Sequence, residues 1–291
     1  MVDFLKYKLV YFLISLLIVG SGLFSIIKWG YDFSIDFVGG TNINYQVTKE
    51  VDIKIISELL KKNNIEAIDY QLKNKKLILR AKPIDEKKEA AFKSDLEKQS
   101  GKITVLSSET VGPTLGKETV VKTTIASLLA VLGILIYMSF AFKGFKFAIA
   151  AVLAMIHDLL VVVGTYSLLS HFFGAQFDAM FVTAVLTTMS FSVHDTIVIF
   201  DKIREYMGSG EGTIESLANR ALQETMVRSL NNSMTIVFML LALSMLGGTT
   251  IRFFIIALLI GTITGTYSSP FVATPILVWL TRRSFRAKRG N

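Results

Sequence analysis

Ala184-Val185-Leu186-Thr187-Thr188-Met189-Ser190-Phe191-Ser192-Val193-His194-Asp195-Thr196-Ile197-Val198-Ile199-Phe200-Asp201 decides how the chain is read. It belongs to an apolar segment long enough to cross a bilayer, yet His194 and Asp195 stand inside the hydrophobic run. An ionisable group at that depth costs at least ~2.5–3.5 kcal/mol on insertion scales, and such groups face a bundle interior, a cavity or an ion path. A proton or ion relay is the leading expectation. The rival reading has Asp195 close enough to the cytosolic end to snorkel to water.

The remaining sequence makes a membrane protein of this stretch. Of 291 residues, 52% are hydrophobic, and the mean hydropathy is +0.52. That apolar excess falls into blocks of about 20 residues, the length that spans hydrocarbon. The net charge of +8 sits mostly on residues flanking those blocks, so it reports orientation in a membrane and not a nucleic-acid partner. With no cysteine there are neither disulfides nor thiolate metal sites, and no metal is expected. The first block, Leu9 to Ile27, lacks a convincing small-x-small cleavage signal and is long enough to stay as an anchor. Lys6 and Lys8 precede it, which places the amino terminus in the cytoplasm.

The chain divides into residues 1–29, the cytoplasmic start and first helix; 30–120, an extracytoplasmic domain; 121–281, five more transmembrane helices; and 282–291, a basic cytoplasmic tail. In the domain, Asn42–Val47 alternates like a strand, and Ile53, Ile56, Leu59 and Leu60 recur at helical spacing after Asp52, a plausible N-cap. Ile68–Leu72 and Leu77–Ala81 flank a Lys73–Lys76 turn, Asp85–Gln99 reads as a helix, and Lys102–Ser108 as a last strand. That β-α-β-β-α-β order is ferredoxin-like.

The further spans read as Thr123–Phe142, Phe147–Leu169, Ala179–Phe200, a short Ser233–Leu246, and Phe253–Leu280 with Pro270 and Pro275 as kinks. Asp201–Arg228 reads as a charged cytoplasmic segment, and Lys143-Gly144-Phe145-Lys146 as a short basic loop. The fold class is an α-helical polytopic membrane protein of six transmembrane helices, with an inserted α+β ferredoxin-like domain and both termini cytoplasmic.

A second acid–histidine pair, His157-Asp158, falls near the midplane of the third span. With His194-Asp195 it forms either a stepwise proton ladder or, alone, a mutually satisfied structural pair. Arg228, from position alone, is an ordinary cytoplasmic anchor. Gly261 and Gly265 give the last span a small-residue face for close packing. Gly208-Ser209-Gly210-Glu211-Gly212 lacks the lysine and the preceding strand of a phosphate-binding loop and reads as a flexible connection.

Four signatures together resemble the SecD/SecF family of bacterial protein-export subunits, on its SecF side, within the resistance-nodulation-division superfamily. They are Ile35-Asp36-Phe37-Val38-Gly39-Gly40, Val111-Gly112-Pro113, His157-Asp158, and Ser192-Val193-His194-Asp195-Thr196-Ile197-Val198-Ile199-Phe200-Asp201-Lys202-Ile203-Arg204-Glu205. The resemblance implies that Asp195 and Arg228 take part in proton conduction, which reverses the anchor reading of Arg228. His194 stands where the family usually has asparagine. The resemblance also implies SecD as partner, the SecYEG channel as neighbour, an unfolded polypeptide as client, membrane lipids around it, and the bacterial inner membrane as location. Protons would be the coupling ion, with no other cofactor and no nucleic acid. Proton-driven export of a small solute or lipid, and intramembrane aspartyl proteolysis by Asp158 and Asp195, are the alternatives.

Overall fold

The computed structural model describes residues 4–141, 144–209 and 212–289. Lys143 of the expected basic loop, Gly210 and Glu211 of the glycine-rich connection, and the last two residues of the tail lie outside the described residues.

A short 3₁₀ turn, Phe4–Tyr7, leads into α1 (Lys8–Trp29), followed by β1 (Asp32–Phe33), α2 (Ile35–Val38), β2 (Gly40–Val47), α3 (Ile53–Lys62), β3 (Ala67–Lys73), β4 (Lys76–Ala81), α4 (Glu86–Ser100) and β5 (Ile103–Val111). The long helices are α5 (Pro113–Ala141), α6 (Phe145–Phe173), α7 (Ala179–Ser209), α8 (Ile214–Leu246), α9 (Arg252–Ser268) and α10 (Thr274–Arg289), with β6 (Gln176–Phe177) between α6 and α7. Two compact units result, residues 33–125 and residues 1–32 with 126–291.

The smaller unit forms where the sequence alternates. β2 to β5 make an antiparallel sheet of order β3-β4-β2-β5, the strand order of the ferredoxin-like fold. Asp52 caps α3 by accepting from the Lys54 amide, and Asp85 caps α4 by accepting from Lys88. Such caps satisfy backbone donors that a helix leaves open at its start. Asn74 and Lys75, at φ +51° and +58°, turn the β3–β4 hairpin in the conformation that matches strand twist. Helices cover one sheet face, burying Ile43, Tyr45, Leu77, Leu79, Phe92 and Leu96 almost completely. Asp95 on α4 pairs with Lys62 of α3 at 2.8 Å and Lys98 at 3.0 Å. Hydrogen bonds from Lys62 and then Lys98 hold its carboxyl at about 2.

Six helical stretches among the described residues are long and apolar enough to cross a membrane. Four depart clearly from their sequence-based bounds, the fourth running on past Phe200 to Ser209. The second begins at Pro113, because proline at the first helical position has no amide to leave unsatisfied. The fifth is no short span: α8 runs 33 residues from Ile214, so the charged segment is helical on both sides of 210–213. The sixth is two helices joined by a π-turn at Ser269–Ala273, where Pro270 interrupts the amide ladder.

In the larger unit α9 packs against α6, α7 and α8 and forms the centre. α1 lies parallel to α6 in constant register: Gly22 meets Gly164, Ser25 meets Ser167, and Trp29 stacks on His171 at 4.1 Å. A Cβ on Gly164 would stand 2.6 Å from the Gly22 Cα, so the backbones touch. Small residues permit that approach between membrane helices. Gly164→Leu is therefore expected to push α1 off α6, costing on the order of 1–3 kcal/mol or more by overpacking. A lower unfolding midpoint in detergent, with faster amide exchange along α1, checks this.

Candidate functional site

Two carboxylates sit inside the larger unit, each held by hydroxyls from other helices. Asp158 on α6 is 4% exposed. Ser192 of α7 and Ser268 of α9 both donate to its Oδ2, the latter at 2.6 Å. His157 Nδ1 lies 2.9 Å from its Oδ1, while His157 Nε2 is buried without a hydrogen-bond partner. Three helices thus converge on one acid. Ser268 can do so because it closes α9 immediately before the π-turn, a distortion often found at functional positions. One turn further along α7, Thr196 bonds the Ser269 hydroxyl at 2.9 Å.

Asp195 follows Ser192 by three residues, about 4.5 Å along the axis. It is 7% exposed and accepts from Ser229 of α8 at 2.7 Å, with Ser233 as a further partner. A cavity of about 20 Å³ opens beside it, lined by His194, Asn232, Ser233 and Thr266 among others. That volume admits a single water. The acids therefore lie one helical turn apart on the α7 ladder, each bonded to its own pair of serines.

Arg228 stands apart from Asp195. No Asp195–Arg228 ion pair is found among the described residues: Arg228 is exposed, and Ser229 takes the place facing Asp195. The reason is helical phase. Thr225, Ser229 and Ser233 repeat every fourth residue along the buried face of α8, and Arg228 is rotated 100° away from it. His194 is likewise exposed, in a stripe with Thr183, Thr187 and Ser190.

The remaining expected positions meet elsewhere. Gly39 and Gly40, at φ +75° and +137°, let α2 turn into β2. A Cβ on Gly39 would lie 2.8 Å from the Pro113 Cα, and one on Gly116 would lie 2.9 Å from the Gly39 amide nitrogen. The Asp36–Gly40 and Gly112–Pro113 signatures are thus two sides of one backbone contact in the smaller unit. Asp36 is half-buried there. Gly261 faces Thr188, where a Cβ would come within 2.3 Å, and Gly265 faces Ser192, so α9 approaches α7 at the level of the acids. Sequence reasoning missed Ser229, and it assigned neither Ser192 nor Ser268 to an acid. Their only advance signal is hydroxyls in an apolar run.

A family model described as "Protein export membrane protein SecD/SecF, C-terminal" matches residues 91–283. The chain belongs to the SecD/SecF family. It is 39% identical to the protein translocase subunit SecF of Thermobaculum terrenum, over 98% of this chain and 96% of that one. Against SecF of Anaerolinea thermophila it is 37% identical, over 96% and 94%. The crystal structure of the Thermus thermophilus SecDF protein superposes with a TM-score of 0.84 at 30% identity, covering 97% of this chain and 39% of that one. This chain therefore spans about two-fifths of the SecDF protein, and it is a multi-pass membrane protein of the SecF type.

Proposed function

We propose that this chain works with SecD to couple the proton-motive force to late, ATP-independent movement of unfolded polypeptide across the cytoplasmic membrane, beside the SecYEG channel. The carrying observation is Asp195: a carboxyl buried in a spanning helix, bonded by hydroxyls and not by a cation, and flanked by room for one water. As carboxylate it only accepts hydrogen bonds, and its charge strengthens those from Ser229 and Ser233. Protonation weakens them and loosens α7 from α8. A proton crossing 100 mV supplies about 2.3 kcal/mol, enough to bias a two-state packing arrangement strongly. The domain of residues 30–120, on the extracytoplasmic side, would take up that change and move the client. Asp158, one turn away with His157, is the second station of the relay.

SecD is supported as partner by homologues that carry both halves in one chain, such as Thermus thermophilus SecDF, 33% identical over 87% of this chain. It is also supported by the exposed polar stripe Thr183, Thr187, Ser190 and His194 beside Arg228, Asn231 and Asn232. Lipid is a poor cover for such a surface. Arg228 stands roughly 27 Å along α8 from Leu246, one hydrocarbon thickness, and serves this surface instead of the buried acid. On this reading both termini are cytoplasmic, as Lys6 and Lys8 before α1 and the basic tail predict. An aspartyl-protease dyad needs two carboxylates close enough to share one proton, whereas Asp158 and Asp195 hold separate serines. Co-expression of the tagged chain with SecD is expected to give a complex that survives detergent extraction, weakened by His194→Leu with Asn232→Leu. A chain that purifies alone would remove the partner on which the proposal depends.

A further inference from the structure

A groove of about 390 Å³ runs along the larger unit between α1, α6 and the start of α10. Its walls are Phe12, Leu16, Leu153, Ile156 and Pro275, with Lys8 at one end and Val19 near the other. Phe271 and Val272 of the π-turn line it together with Pro275 and Ile276 of α10. Three properties identify the occupant.

The first is length. Lys8 to Val19 spans roughly 16 Å of helix, half of a hydrocarbon core of about 30 Å, so the groove is one leaflet deep. The second is width. About 390 Å³ drawn out along that length suits an extended chain of methylenes. The third is charge. Apart from His157 the wall is almost entirely apolar, the Ser15 hydroxyl on it already faces the Tyr267 hydroxyl at 3.4 Å, and Lys8 stands at the end of the groove. A lysine at that level attracts acidic headgroups.

We infer that this groove is a binding site for an anionic phospholipid, its phosphate at Lys8 and one acyl chain laid along α1 and α6. The tail passes the ring of His157, which lines the groove at the level of Ser15. Bound lipid thereby closes the membrane-facing side of the His157–Asp158 pair.

The test uses the full chain, purified and reconstituted in nanodiscs of phosphatidylglycerol or of phosphatidylcholine, with retained lipid counted by native mass spectrometry after detergent exchange. Wild type is expected to keep phosphatidylglycerol in preference, and Lys8→Ala to lose about fivefold of that preference. Leu153→Trp, which fills the groove from a partly exposed position, is expected to abolish retention. Leu132→Trp, on the exposed face of α5, is expected to leave it unchanged. Equal retention by Leu153→Trp and Leu132→Trp would overturn the site. So would fast reaction of Ser15→Cys, in this otherwise cysteine-free chain, with a charged, membrane-impermeant thiol reagent, because the groove would then hold water.

Discussion

Asp195→Asn is expected to abolish proton-driven export while the protein still inserts and folds. Asparagine matches aspartate in size, and its amide oxygen can still accept the Ser229 hydroxyl now at 2.7 Å from Oδ2. The α7–α8 contact therefore persists, held at a fixed strength, because the amide cannot change charge between pH extremes. Only the variable part of the interaction is lost. The measurement is proton flux and polypeptide movement in vesicles containing the chain with SecD and the channel, with an imposed pH gradient. Flux and movement should fall to the level of vesicles lacking the chain, with unaltered SecD association. Wild-type flux from Asp195→Asn would mean that the carboxyl never titrates during the cycle. Arg228→Ala offers the contrast. Because Arg228 does not touch Asp195, its loss should appear in the SecD complex before it appears in proton flux measured on intact complex.

The difference between those two residues also marks what the sequence can and cannot show. Period-two and period-3.6 patterns with their caps specified the ferredoxin-like unit nearly residue by residue, since Asp52, Asp85 and the Asn74-Lys75 turn act over a few residues. Apolar length was equally plain for most spans. Polarity alone makes α8 read as short, because its first turns are polar, yet Thr213 accepts from the Ser216 amide and Leu217, Ala218, Ala221 and Leu222 form a buried stripe. That stripe at helical spacing was legible and outweighs the polarity around it. The partners of the acids were a different matter. Which hydroxyl meets which carboxylate depends on helix phase and on the π-turn, set by packing across the chain. A shift of one residue, Ser229 for Arg228, turns an ion pair into a hydroxyl contact. Close packing of Gly22 on Gly164 escaped for the same reason, since each glycine stands alone in its own helix.

Asp158 separates a structural acid from a working one. Asp158→Ala would leave the Ser192 hydroxyl and His157 Nδ1 without their acceptor deep in the bundle, and Ser268 with only its 3.3 Å bond to the Gly265 carbonyl. Each unsatisfied buried group costs about 1–3 kcal/mol, and α6, α7 and α9 lose the joint they share. The unfolding midpoint in detergent should drop sharply. Asp158→Asn keeps an oxygen for both serines, and His157 can accept from the amide by exchanging tautomers, so its midpoint should stay near wild type. If protons pass through Asp158 on their way to or from Asp195, that well-folded variant loses flux as completely as Asp195→Asn. Stable Asp158→Asn protein with wild-type flux would confine Asp158 to holding three helices together, leaving Asp195 as the acid whose charge changes.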